Sequence, residues 1–348
     1  MMDDPRGLPD TVDSVEQLED LLSEPTEGLV GAMGRLEGDL IVLGVGGKMG
    51  PTLARMAKRA SELAGRKRRV IGVSRFTSEP REALEACGVE TIACDLLNPD
   101  EVAQLPRVPN VVYMAGLKFG TSGSEARTWA MNTYLPSVVS RHFVDSRIVA
   151  FSTGNVYGLA EAASGGSVET DPVNPDGEYA MSCVGRERIF EHFSRTNGTP
   201  VALIRLNYAV ELRYGVLVDV ALSVWERRPV RVEMGYVNVI WQADANAMTL
   251  AAFDSTSSPP TRLNVAGREI LKIRDMAEEF GRLLDREVAF EGSEASDAIL
   301  SSGVRCCEKF GSPRVESGRL LPWIAHWVRQ GLPSLNKPTH FESRDGSF

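Results

Sequence analysis

The chain has 348 residues, of which 43% are apolar and 24% charged, enough for one large or two coupled domains and unlike a disordered chain. Its 38 Lys and Arg against 47 Asp and Glu give a net charge of -9, which argues against a nucleic-acid binder that works by neutralising phosphates. Cys87, Cys94, Cys183, Cys306 and Cys307 form no CxxC pair, and His142, His192, His326 and His340 form no HExxH, so neither a disulfide framework nor a metal site is expected.

In chain order, residues 1–38 read as an extension. Val15, Leu18, Leu21 and Leu22 have helical spacing, and after Pro25 the glycines at 28, 31 and 34 predict a connector. The first ten residues are polar and acidic, and no apolar run reaches 18 residues, so a soluble, cytoplasmic protein is expected, with no membrane partner. From residue 39 strand-like and helix-like segments alternate. Strands are predicted at 40–43, 69–73, 89–94, 110–115, 147–152 and 200–206, and helices at 51–64, 80–87, 124–142 and 179–195. This alternation is the pattern of an α/β doubly wound parallel sheet, a Rossmann fold, over residues 39–207 with a return segment at 236–265. Residues 208–235 and 266–331 then form a smaller C-terminal α+β substrate domain. Trp323 and Trp327, one helical turn apart, read as core. Residues 332–348, rich in Pro, Ser and charge, read as a surface arm.

Directly after the first strand stands Gly44-Val45-Gly46-Gly47-Lys48-Met49-Gly50. Gly44 allows a sharp turn, Gly47 lets backbone N–H groups approach a pyrophosphate, and Gly50 lets the next helix sit close to the sheet. Pro51 suits the first helical turn, whose N-terminus faces an anion. The second strand ends at Ser74-Arg75, without the acidic residue that selects NAD. Ser74 and Arg75 can hold a 2′-phosphate, so NADP is the expected cofactor, with NAD the alternative. Asp95 and the Leu96 N–H are placed for adenine, and Ala115-Gly116 leave room for the dinucleotide to pass.

With these pieces in order, followed by Asn132, Ser152-Thr153-Gly154-Asn155-Val156-Tyr157-Gly158, Tyr179, Arg205-Leu206-Asn207 and Asp244, the chain resembles the extended short-chain dehydrogenase/reductase family of NAD-dependent epimerases and dehydratases. The resemblance spans roughly residues 39–328. It implies hydride transfer between a nicotinamide and a carbinol or carbonyl carbon. It assigns Thr153 to the substrate oxygen and Tyr179 to proton transfer, and it implies a homodimer through the helices holding Asn132 and Tyr179. The family's ribose-binding lysine, four residues after the tyrosine, is replaced by Cys183, which carries no positive charge. Lys118 and Arg186 are the candidate substitute cations, and Lys118 follows the fourth strand, close to the expected nicotinamide. The family's arginine for a substrate diphosphate is also missing before Asp244. Arg213, Arg227, Arg228 and Arg231 are candidate replacements, and Tyr236 and Trp241 offer stacking faces for a ring.

The expected function is an NADP(H)-dependent oxidoreductase or epimerase acting on a hydroxyl or keto group of a small polar, sugar-like metabolite. Two rivals follow from the missing lysine and the family chemistry. One is an NADP(H) sensor without turnover; the other is a lyase or dehydratase with a tightly held cofactor.

Overall fold

The computed structural model describes residues 7–77, 81–118 and 123–346. Seven strands form one parallel sheet: Leu40–Leu43 (β1), Val70–Ser74 (β2), Glu90–Ala93 (β3), Asn110–Tyr113 (β4), Arg147–Thr153 (β5), Val201–Leu206 (β6) and Thr261–Val265 (β7). Their spatial order is β7-β6-β5-β4-β1-β2-β3, and every pairing is parallel. Leu40 pairs with Val70 on one side and Asn110 on the other, so β1 stands where the strand order reverses, the place at which open sheets of this kind bind ligands. The continuous apolar run of β1 is explained by burial on both faces. Leu40 and Val42 enter one core, Ile41 and Leu43 the other. The fold is a doubly wound Rossmann sheet flanked by helices.

The helix Val15–Leu22 (α1) is capped by Ser14 and buries Leu18 and Leu22. The expected connector after it is instead a second helix, Glu27–Arg35 (α2), whose Thr26 cap accepts from the Leu29 N–H at 3.1 Å. Three glycines lower its intrinsic helicity, but burial of Leu29, Ala32 and Met33 outweighs that cost. The glycine loop is followed by Gly50–Leu63 (α3), whose Leu53, Met56, Ala57 and Ala60 face the core. The predicted helix at 80–87 is seen as Arg81–Ala86; its first residue, Pro80, lies outside the described residues. Short helices at Pro99–Ala103 and Val304–Phe310 were not predicted.

The helix predicted at 124–142 is interrupted by a π-turn, Ala130–Tyr134, between Glu125–Trp129 and Leu135–His142. Pro136 has no N–H to give the Asn132 carbonyl, so the regular ladder fails there. That carbonyl instead accepts from Arg186 Nε at 3.4 Å.

Of the return segment, only Thr261–Val265 joins the main sheet. Tyr236–Val237 pairs with Leu271–Lys272, and Ile240–Trp241 with Ala209–Val210. Trp323 and Trp327 are buried and hold the chain ends: their indole N–H groups donate to Pro9 O (3.1 Å) and Pro333 O (2.9 Å). The tail is no loose surface arm, since Thr339 and Phe341 are buried. No described helix is long and apolar enough to cross a membrane.

The long helix Gly177–Asn197 (α4) is fixed to the sheet by an ion pair in the core. Arg205 of β6 makes two hydrogen bonds to Glu187 of α4, at 2.9 and 2.7 Å, and the Ser152 hydroxyl donates to the same carboxylate at 2.6 Å. Both side chains are buried, so losing one charge strands the other. Glu187→Ala is expected to cost about 3–5 kcal/mol of unfolding free energy, measured by urea denaturation. A loss under about 1 kcal/mol would show that the pair is not holding the helix.

Candidate active site

The C-terminal ends of β1, β4, β5 and β6 open into a cavity of about 280 Å³. The glycine loop enters its wall through Gly44, Gly47, Lys48 and Met49, and the catalytic candidates through Thr153 and Tyr179. A second groove lies on the other side of β1. It is lined by Gly44, Gly47, Ser74, Arg75, Asp95, Leu96, Ala115, Gly116 and Arg127. The two recesses share Gly44, Gly47, Met114 and Gly116, so one elongated ligand can lie across the loop with an end in each.

The three glycines of the motif have different reasons to be there. Gly44 has φ +88°, and a Cβ on it would stand 2.7 Å from the Ala115 nitrogen. A Cβ on Gly50 would overlap the Val45 carbonyl. Gly47 is exposed, and a Cβ on it would meet only the Gly44 oxygen, at 3.5 Å. Packing therefore explains Gly44 and Gly50 but not Gly47, whose missing side chain keeps open space in front of the loop. The N-terminus of α3 faces that space with no side-chain cap and no acidic residue in its first turn, which suits an anion. Gly46 lies in the same loop but outside both linings. The cradle fits a dinucleotide pyrophosphate.

On the adenine side, Asp95 Oδ1 accepts from the Leu97 N–H at 3.0 Å, and the Asp95 N–H donates to Glu101 at 2.8 Å, which fixes this turn. Arg75 is exposed at the end of β2. Arg127, which the sequence reading missed, joins it in the groove.

On the reaction side, Thr153 ends β5. Its hydroxyl accepts from the Asn155 N–H at 3.2 Å and donates to Asn155 Oδ1 at 2.8 Å. Tyr179 stands in the first turn of α4, with the Thr153 hydroxyl and the Cys183 thiol as hydrogen-bonding neighbours. Burial, then Cys183, push the phenol above its ordinary value; Arg186 and Thr153 oppose this without cancelling it. Burial likewise raises the Cys183 thiol, so position 183 is a neutral thiol at pH 7 and no nucleophile.

Arg186 is the cation that acts on Tyr179. Its guanidinium donates to Phe151 O at 2.9 Å and to Asn132 Oδ1 at 2.5 Å. Asn132 is fully buried: Oδ1 also accepts from the Leu117 N–H, and Nδ2 donates to Leu117 O and Ser182 Oγ, each at 2.9 Å. It does not line the cavity; it holds Arg186 and the loop after β4. Lys118 lies in the cavity wall, its Nζ 5.8 Å from the Tyr179 ring centroid, and burial pushes its pKa down to about 8. Lys48 is pushed down to about 7 by burial and by Lys118 and Lys337, and its Nζ stands 3.1 Å over the Tyr214 ring.

Several expected binding residues lie elsewhere. Trp241 is buried and packs edge-on against Trp323, 5.7 Å between centroids, so it offers no stacking face; Tyr236 does not line the cavity. Arg213 is bound to Glu19 and Glu211, Arg228 to Glu226, and Arg231 to Glu233. None of these three, nor the exposed Arg227, lines the cavity. Asp244 accepts from the Arg314 and Val315 N–H groups and is structural. Tyr208, Tyr214 and Thr339 line the cavity without any motif that marks them in the sequence.

The fold is a doubly wound α/β sheet whose glycine loop would fit a dinucleotide pyrophosphate, with Tyr179 and Thr153 in the adjoining cavity. The model of the NAD dependent epimerase/dehydratase family matches residues 40–210. No curated protein matches it in sequence. Among solved structures it is similar to UDP-glucose 4-epimerase from Thermotoga maritima with UDP-glucose (16% identity, TM-score 0.69, 84% of this chain and 99% of that one). It is similar also to dTDP-glucose 4,6-dehydratase from Streptomyces venezuelae with NAD bound (19%, TM-score 0.67, 84% and 97%) and to a UDP-galactose 4-epimerase (20%, TM-score 0.67, 84% and 99%). At these identities the likeness is one of fold.

The differing roles of the glycines make a two-variant test. Gly47→Val is expected to fold like the wild type and to lose dinucleotide binding, because its side chain enters the open cradle. Gly50→Val is expected to lose the fold itself. Thermal melts and cofactor titration measure both; a folded Gly47→Val with unchanged affinity would make the loop a mere turn.

Proposed function

We propose that the chain is an NADP(H)-dependent oxidoreductase or epimerase acting on a hydroxyl or keto group of a small polar, sugar-like metabolite. The observation that carries this reading is the Tyr179–Thr153 pair inside the cavity whose wall is the glycine loop. The backbone of Gly44 to Gly50 and the start of α3 hold the pyrophosphate. Asp95 and Leu96 take the adenine, and Ser74, Arg75 and Arg127 meet a 2′-phosphate. When bound, the nicotinamide gives or accepts hydride. Thr153 orients the substrate oxygen, and Tyr179 moves the proton to or from it.

Arg186 supplies part of the positive charge that the family draws from a lysine. The phenol nevertheless sits above its ordinary value of about 10 and is protonated at neutral pH. As a proton donor it is loaded for carbonyl reduction. As an acceptor it must first ionise, which needs alkaline solution. Carbonyl reduction is therefore expected to stay level from neutral pH upward until the phenol ionises, while alcohol oxidation climbs with pH. Tyr179→Phe is expected to lower kcat by roughly two to four orders of magnitude in both directions, read from pH–rate profiles. An oxidation optimum near pH 7, or wild-type turnover by the variant, would overturn the assignment. The thiol at position 183 and the raised phenol favour one second reading, a sensor that binds NADP(H) without turnover. It is selected if a metabolite panel elicits no Tyr179-dependent cofactor oxidation or reduction.

Cofactor choice rests on the absence of an acidic side chain at Ser74-Arg75. NADPH is expected to bind more tightly than NADH by on the order of 1.5–3 kcal/mol, the scale of a charge-assisted hydrogen bond. Arg75→Ala should remove most of that difference in parallel fluorescence titrations. Equal affinities in the wild type, or tighter NADH, would reject NADP selectivity.

A further inference from the structure

The cavity has a wall that the sequence reading assigned to a loose arm. After Trp327 has fixed Pro333, the Leu335 N–H donates to Arg213 O at 3.1 Å. Thr339 then donates twice to one oxygen of Asp219, through its N–H at 2.8 Å and its hydroxyl at 2.6 Å. Asp219 lies in the first turn of the helix Val216–Trp225, and Thr339, 3% exposed, lines the cavity beside it. Further on, Phe341 is buried, and Arg344 binds Asp297 through its side chain at 2.5 Å and its carbonyl at 3.0 Å. Gly346 lies against Asp176 and Gly177, directly ahead of Tyr179. The tail thus runs from Asp219, on the far side of the cavity, to the start of the helix that carries the reacting tyrosine.

Two further observations bear on what fits beneath it. A volume of about 280 Å³ is at the lower limit for a single small-molecule site, and a nicotinamide must share it. The four arginines expected to hold a substrate diphosphate, Arg213, Arg227, Arg228 and Arg231, do not line the cavity, whose cations are Lys48 of the glycine loop, Lys118 and Arg186.

We infer that residues 333–346 close the substrate half of the cavity, with Thr339 as a specificity-determining residue latched by Asp219, and that the site takes a small polar substrate rather than a nucleotide-linked one. This rests on the dinucleotide reading for the other half of the cavity.

The test compares the full chain with Thr339→Val, Asp219→Asn and a chain ending at Leu332. Loss of buried Phe341 can unfold the shortened chain, so the two point variants carry the decision. In the NADPH-loaded wild type, nicotinamide fluorescence should resist quenching by acrylamide. In the point variants quenching should increase, and NADPH dissociation in stopped flow should quicken about tenfold, since such contacts act mainly on off-rates. Calorimetric titration of the loaded wild type with UDP-glucose up to about 1 mM should give no binding. Unchanged quenching and dissociation in both variants, or UDP-glucose binding by the wild type, overturns the inference. If NADPH fails to bind the wild type, the dinucleotide reading falls. Hydrogen exchange at residues 206–216 without cofactor then still decides the closure: faster exchange in the variants supports it, and equal exchange overturns it.

Discussion

The arrangement of the site depends on one buried ion pair. Taking Glu187 and Arg205 out of water costs several kcal/mol per ion before any gain, so the pair is better understood as fixing geometry than as adding stability. Its hydrogen bonds are extended: Arg205 also donates to the Tyr157 hydroxyl at 2.7 Å, and that hydroxyl donates to Asn264 at 2.8 Å. Strands β5, β6 and β7 and helix α4 are thereby joined through polar groups that no hydrophobic rearrangement can satisfy equally. A helix whose Glu187 must face the sheet has its rotation set. Cys183 and Tyr179, four and eight residues earlier, then fall on the same side, and Arg186 beside them. The pair lies two helical turns from Tyr179 and fixes the face of the helix on which that tyrosine stands.

A second constraint comes from the helix opposite. Pro136 leaves the Asn132 carbonyl without its helical donor, and the π-turn aims that carbonyl and its own side-chain amide at Arg186. With Phe151 O as a third acceptor, the guanidinium has a fixed place. The lysine of the family is a flexible point charge that reaches a ribose. Here the charge is planar and held by the carbonyls of Asn132 and Phe151 and the Asn132 side chain, while a thiol occupies the position of the lysine. The electrostatic result is a phenol that keeps its proton, because burial outweighs the opposing charge of Arg186.

Much of this was legible because it is local. The period of the apolar residues gave the strands, and the glycine loop with Pro51 gave the turn into α3, since sharp turns and close approaches leave few residue choices. Thr153 and Tyr179 were found through the family pattern and do meet in one cavity. What stayed hidden depends on partners distant in sequence. Helix α2 forms against its glycine content because Leu29 and Met33 find a core. Trp241, a plausible stacking face in isolation, is taken by Trp323. Arg213 looks available until Glu19 and Glu211 are brought beside it. Pro136 was present in the sequence, but its effect required knowing that Arg186 would arrive to donate to the orphaned carbonyl. The tail's composition gives no hint that Asp219 will capture Thr339.

The charge distribution around the cavity follows from the same packing. The chain is acidic overall, yet Lys48, Lys118 and Arg186 line the cavity and, among the described residues, no carboxylate does. The nearby acids are spent within the protein, Asp219 on Thr339 and Glu211 on Arg213. Low-dielectric walls concentrate the field of the cations, so the entrance favours anions against the sign of the whole molecule. The same burial lowers both lysines, to about 7 for Lys48 and about 8 for Lys118. An anion that settles between them stabilises their charged forms, so its binding takes up protons when the pH lies near or above those values. The strength of the site for a phosphate or carboxylate therefore falls as the solution becomes alkaline, the direction in which the phenol of Tyr179 becomes able to accept a proton. Under the proposed chemistry, binding and alcohol oxidation would pull the pH dependence in opposite senses, whereas binding and carbonyl reduction would share the neutral range.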